Sequence, residues 1–157
     1  MKKKLLVYNA QVLSVLLYNS SSWSLNQDML NKVDACHRKH LRYILNMQWP
    51  HGCISNESLY LRCNAKPISK HIEKSRWTLF GHLLRSPETN PASLAFHFAV
   101  ISTEDWKGRV GRPQANLLDV IRKDLEKRNI YINNLNDFHN LYTIAFDRAK
   151  WRSLAEV

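Results

Sequence analysis

The chain has 157 residues, 45% of them hydrophobic, with only 4 glycines and 5 prolines; that is enough apolar material for one buried core and too ordered a composition for a disordered chain. Lys and Arg number 23 against 13 Asp and Glu, a formal net charge of +10, which suits a polyanionic partner through attraction and counterion release. Cys36, Cys53 and Cys63 are an odd number at irregular spacing, so no disulfide framework is expected and the chain reads as a reduced, intracellular protein.

The start, Met1-Lys2-Lys3-Lys4 followed by Leu5-Leu6-Val7, imitates a secretory signal, but Asn9 and Gln11 interrupt the apolar run. It is also far short of the roughly 18 apolar residues a membrane span needs. Leu5, Tyr8, Val12, Val15 and Leu16 fall at three- and four-residue steps, predicting an amphipathic helix over residues 4–17. Asn19 to Ser22 ends it, and Trp23 plugs the junction. Asn26 or Asp28 caps the next helix, with Met29, Leu30, Val33, His37, Leu41, Ile44 and Leu45 on one face and Lys32, Arg38, Lys39 and Arg42 on the other.

After a turn at Trp49-Pro50-His51-Gly52, Ser55 or Asn56 opens a short helix to Cys63. Pro67 is placed to be the first residue of a further helix, with a wide apolar stripe through Ile68, Ile72, Trp77, Leu79, Phe80, Leu83 and Leu84. Pro87 and Pro91 end it and open a shorter helical or irregular piece. Ile101 to Arg112 reads as a loop, with Gly108 and Gly111 spaced for turns. Pro113 then begins a helix with Leu117, Leu118, Ile121 and Leu125 inward and Arg122, Lys123, Lys127 and Arg128 outward. A last helix after Asn134 carries Leu141, Ile144, Ala145, Trp151 and Leu154 to the end. No segment alternates with a period of two, so the prediction is an all-α fold of about five to seven helices. Residues 1–100 form a helical region, 101–113 a basic Gly/Arg loop, and 114–157 a helical segment packed on the same core.

Four blocks in this order resemble the C-terminal thumb and post-thumb region of reverse transcriptases from non-LTR retrotransposons (long interspersed elements). They are Val12-Leu13-Ser14-Val15-Leu16-Leu17-Tyr18 ending at Trp23; His40-Leu41-Arg42-Tyr43-Ile44-Leu45 followed by Trp49; Arg76-Trp77 through Gly81-His82 to Arg85; and Gly111-Arg112-Pro113 with Asp119, Asp124-Leu125 and Ala145-x-Asp147-Arg148-x-x-Trp151-Arg152. Asn19 and Asn46 stand where the family has Gly, and Leu117 where it often has Trp. Losing a glycine removes easy access to positive φ, so those two turns are expected to be altered.

The resemblance implies helices that clasp an RNA–DNA hybrid or duplex while a separate palm does the chemistry, and it points to the nucleus. No palm is legible here. Polymerisation by two metals needs clustered carboxylates, whereas these are dispersed, the one adjacent pair, Glu104-Asp105, lies in the loop, and no Tyr-x-Asp-Asp turn occurs. The chain is therefore expected not to be an enzyme by itself, and to need no cofactor. The alternatives are a protein-interaction module, docking for example on a polymerase palm, and an inert relic of a retroelement.

Cys36 and His40 are four apart on a helix and could touch one metal ion, with Cys53, Cys63 and His71 as further donors. No closed zinc spacing results and no Cys-x-x-Cys occurs, so a packed Cys and a surface His are expected instead of a metal site. No nucleophile elbow, phosphate-cradling Gly loop or paired-carboxylate motif suggests catalysis. His82 is expected to pack within the helices.

The expected contacts are phosphate contacts, which position a duplex but read little sequence. On the helices they fall to Arg38, Lys39, Arg42, Arg76, Arg85, Lys123, Arg148 and Arg152. In the loop, Arg109 and Arg112 offer bidentate guanidiniums beside glycines, Lys107 adds charge, and Trp106 is placed to stack a base. Trp77 and Trp151 are expected to face the core, with Asp147 paired to a nearby Arg. No membrane partner is expected.

Overall fold

The computed structural model describes residues 2–47, 52, 54–87, 89–101, 116–131 and 135–155, and among these it is all-α, without a strand. Helix α1 (Lys2–Val7) runs through a π-helical stretch, Tyr8–Leu13, into α2 (Ser14–Leu16). There follow α3 (Gln27–Leu45), α4 (Asn56–Cys63), α5 (Ile68–Arg85), α6 (Pro91–Ile101), α7 (Leu117–Glu126), α8 (Leu135–Phe146) and α9 (Arg148–Leu154). The chain divides into two compact units, Met1–Ser20 with Leu25–Ile72 and Ser21–Ser24 with Glu73–Val157.

In the first unit, Tyr8, Leu41, Leu59 and Cys63 form the buried cluster, with Leu5, Leu13 and Ile44 against it. The expected stripe along the first helix is only partly there: Val12, Val15 and Leu16 are exposed. The π-helical stretch is the reason. Its wider turn, closing on the fifth residue rather than the fourth, brings Leu13 into line with Tyr8 and carries Val12 and Val15 away. Asn26, and not Asp28, caps α3, its Oδ1 accepting from Met29 N at 2.9 Å; Met29 itself is exposed. Ser55 caps α4 by accepting from Ser58 N at 3.1 Å. Helix α5 is capped from outside its own sequence. Buried Asp34 on α3 accepts from Ser69 N at 2.9 Å and from Ser69 Oγ at 2.7 Å, so a carboxylate sits at the positive end of the α5 dipole. Pro67 stands just before this helix, not within it.

Three helices stop in the same way. Asn46, Asn64 and Asn129 have φ of 57°, 46° and 56°. In each case the following amide reaches back to the carbonyl five residues earlier: Met47 to Arg42, Ala65 to Tyr60, Ile130 to Leu125, all at 2.9–3.0 Å. This is the Schellman closure of orphan carbonyls, made with Asn, the non-glycine residue that best tolerates the left-handed region. Asn19 is also left-handed, at φ 53°. At 19 and 46, where glycine was expected, asparagine takes the positive φ itself, so neither turn is altered by lacking glycine.

The second unit holds the larger core: Trp77, Phe80, Leu84, Phe96, Ile121, Leu125, Leu141, Ala145 and Trp151. Burying each large apolar side chain contributes about 1.5–3 kcal/mol. Helix α6, expected to be short or irregular, is a helix with Pro91 at its first position and Asn90 Oδ1 accepting from Ala92 N at 3.0 Å. Helix α7 begins at Leu117, capped by Asn116; Pro113, where the sequence placed a helix start, lies outside the described residues. The single last helix is two, because Asp147 (φ −77°, ψ 95°) leaves the helical region and caps α9, accepting from Ala149 N at 3.0 Å and Lys150 N at 3.1 Å. Its carboxylate is thus taken by helix amides and not by a neighbouring Arg.

Two guanidiniums expected at the surface are inside this unit. Arg76 is 4% exposed and forms a buried ion pair with Asp124, Nε to Oδ2 at 2.6 Å. The Arg128 side chain donates to Leu154 O and Asp124 O, each at 2.7 Å, and to Glu73 Oε1 at 3.1 Å, with its carbon 4.5 Å from the Trp77 ring centre. Arg76, expected as a surface phosphate contact, is therefore inside the core and turned to a carboxylate. Both arginines are buried because each finds a carboxylate inside, which is the condition for burying charge.

Candidate anion-binding groove

Along α5, Lys74, Thr78, His82 and Arg85 recur at three- and four-residue steps and so share one face. On α9, Arg148 and Arg152 lie one turn apart. These six residues, with Ser86 and Pro87, line a groove of about 690 Å³ whose apolar lining is Trp77, Trp151 and Ala155. The helices are held at this spacing by the two tryptophans. Their rings stack at 4.3 Å between centres and 8° between planes, and each indole N–H donates to the other residue's carbonyl, at 3.0 and 3.1 Å. Such closeness needs Gly81, where a Cβ would collide with the Trp151 indole.

Arg85 is half-buried, and its Nη1 donates to Ala145 O at 2.8 Å, in the last turn of α8. That contact places the guanidinium at a negative helix end and fixes its direction. Burial, and then the charges of Arg148 and Arg152, hold Arg85 below the ordinary arginine pKa. Arg148 and Arg152 are exposed and have no carboxylate partner among the described residues. Three like charges thus converge on one groove, and no carboxylate among the described residues lines it.

Of the expected contact residues, Arg85, Arg148 and Arg152 come together here. Lys39 and Lys123 are exposed on α3 and α7, and Arg38 is half-buried on α3. Arg42 is also half-buried and braces the α3–α4 connection, donating to Asn56 Oδ1 at 2.8 Å. Trp106, Lys107, Arg109 and Arg112 lie outside the described residues. Lys74 and Thr78 were not singled out by the sequence, although their spacing with His82 and Arg85 on the polar side of α5 is legible. His82, expected to pack, is exposed on the groove.

In the first unit, Tyr8 Oη shares hydrogen bonds with His37 Nδ1 at 2.9 Å and His40 Nδ1 at 3.3 Å, while Cys36 Sγ lies 3.9 Å from His40 Nε2. Burial pushes the Tyr8 hydroxyl up to about 12 and holds His37 below its ordinary value. Among the described residues no three His, Cys, Asp or Glu side chains are grouped to hold a metal ion, and Cys53 lies outside them. No described helix is long and apolar enough to cross a membrane. Set against family models, curated proteins and solved structures, the chain matches none of them.

Proposed function

We propose that this chain is a helical nucleic-acid-binding domain, akin to a retroelement reverse transcriptase thumb, that grips a duplex or an RNA–DNA hybrid through phosphates. The observation that supports this is the convergence of Arg85, Arg148 and Arg152 on one groove, two of them without a carboxylate partner among the described residues. Clustered guanidiniums repel one another, and an anion placed among them removes that repulsion while accepting bidentate hydrogen bonds. Lys39 and Lys123 add exposed charge on other helices. Contacts of this kind hold a backbone and read little sequence.

The test is fluorescence anisotropy with a labelled RNA–DNA hybrid across a salt series. Log affinity should fall steeply with log salt, and the slope should become shallower by about two in Arg148→Ala plus Arg152→Ala. No binding at low salt by a chain that melts cooperatively would sink the reading.

A second reading, a protein-interaction module, is favoured by one feature of the first unit. Leu6, Val15 and Tyr18 are 70%, 74% and 82% exposed on and just after the first helical run. Exposed apolar side chains of this size are what a docking partner would cover. Sedimentation across concentration decides whether these side chains drive self-association, which Val15→Asp would abolish.

A further inference from the structure

Building on the nucleic-acid reading, we propose that the groove lined by α5 and α9 is an end-recognition site. It takes a phosphomonoester or polyphosphate group, as carried by a strand terminus or a free nucleotide, in preference to the internal phosphodiesters of a duplex.

Size comes first. A groove of about 690 Å³ falls in the range of small-molecule sites, roughly 300–1,000 Å³. It admits a nucleotide or two, whereas a duplex can only lie across its mouth. An internal phosphate presented from outside would meet the exposed Arg148 and Arg152 and leave half-buried Arg85 unused.

Charge is the second argument. An internal phosphodiester carries one negative charge, whereas a terminal phosphate carries about 1.5–2 near neutral pH and offers three strong acceptor oxygens. The groove sets three guanidiniums around one space. That density is excessive for a single diester and suits a group of higher charge. The stacked indoles give the groove a low-dielectric wall, which focuses the field of those charges.

The third argument is which donors are available. Asp147 already accepts from the first amides of α9, so an anion in the groove is held by side chains. Arg85 is aimed by its bond to Ala145 O, and its other donors have no partner among the described residues. Arg148 and Arg152, one turn apart, project from the same side of α9. Thr78 and His82 supply polar atoms at the rim, where a sugar or base would follow the phosphate.

The experiment uses labelled oligonucleotide twins of one sequence with a terminal hydroxyl or a terminal phosphate, at the 5′ and 3′ ends in turn. Unlabelled tripolyphosphate and a nucleoside triphosphate serve as competitors. The phosphorylated twin should bind about tenfold more tightly, the gain of one or two charge-assisted hydrogen bonds. Arg148→Gln plus Arg152→Gln should erase the difference in a protein whose melt is unchanged. If only tripolyphosphate or the nucleoside triphosphate binds in a manner those variants abolish, the same chemistry is assigned to a free nucleotide. Equal affinity of the twins, together with no variant-sensitive binding of tripolyphosphate, overturns the proposal. In that event tight, salt-dependent binding of both twins leaves duplex gripping standing, and no binding of either removes both readings.

Discussion

Trp77 and Trp151, 74 residues apart in sequence, are joined by a reciprocal pair of hydrogen bonds in which each indole donates to the other's main chain. The rings are stacked between those bonds, so one contact fixes distance, tilt and register of α9 on α5 together. A stacked aromatic pair contributes about 0.5–1.5 kcal/mol beyond its buried area, and each hydrogen bond a similar net amount. Phe80 closes the cluster, 5.9 Å from the Trp77 ring and 5.6 Å from that of Trp151.

Gly81→Ala should break this arrangement. A methyl group at Gly81 occupies the space of the Trp151 indole, and the indole is held by its own hydrogen bonds and cannot simply turn away. Overpacking of this kind costs about 1–3 kcal/mol, against a helix-propensity gain of about 1 kcal/mol. The expected result is a lower thermal midpoint together with weaker anion binding, since the same clasp sets the groove. A variant as stable as the parent would show that Trp151 can be displaced without loss.

The Arg76–Asp124 pair yields a second expectation. Removing one partner leaves a buried charge alone, so Asp124→Ala should destabilise by about 3–5 kcal/mol. Replacing both, as Arg76→Met with Asp124→Leu, should recover most of that loss. Urea midpoints of the two variants measure it, and a double variant as unstable as Asp124→Ala would contradict the account.

Acid should weaken the protein through His37. Its ring is 1% exposed, and burial holds its pKa down, helped by His71 and His40 and opposed by Asp34. The unfolded chain takes up this proton near the ordinary value of 6.5, while the folded chain resists it. Stability from this group is therefore complete above that pH and declines as pH falls toward the folded-state value. The urea midpoint should drop between pH 7.5 and 5.5 by less in His37→Gln than in the parent. Equal drops would remove His37 as the cause.

At Asn46 the left-handed backbone is the whole requirement. Asn46→Gly should change stability by only about 0.5 kcal/mol, whereas Asn46→Ala should cost about 1–2 kcal/mol because its Cβ opposes that conformation. A melt of the two variants side by side reads the difference directly.

Most helices were legible because their evidence is local. The apolar steps of α3 and α5 and the caps Asn26 and Ser55 need only neighbouring residues to be read. What escaped was decided at a distance or by a small change of register. One π-helical stretch undoes the three-four spacing along the first helix. Arg76 and Arg128 looked like surface cations because their carboxylates, Asp124 and Glu73, stand on other helices or far along the chain. Of the groove, Arg85, Arg148 and Arg152 could be named from their sequence blocks. Their convergence could not, because it depends on α9 breaking from α8 at Asp147 and lying along α5.

The asparagines that end three helices also act on the chain before it folds. A glycine at such a position roams nearly all of φ/ψ space when unfolded and surrenders that freedom on folding. Asparagine has fewer conformations to give up, and substitutions that restrict the unfolded chain at a compatible site stabilise by about 0.4–1 kcal/mol. With only 4 glycines in 157 residues, this chain starts from a comparatively narrow unfolded ensemble. Less of its core energy is then consumed in ordering the backbone, in a first unit whose buried apolar side chains among the described residues are Tyr8, Leu41, Leu59, Cys63, Ile68 and Ile72.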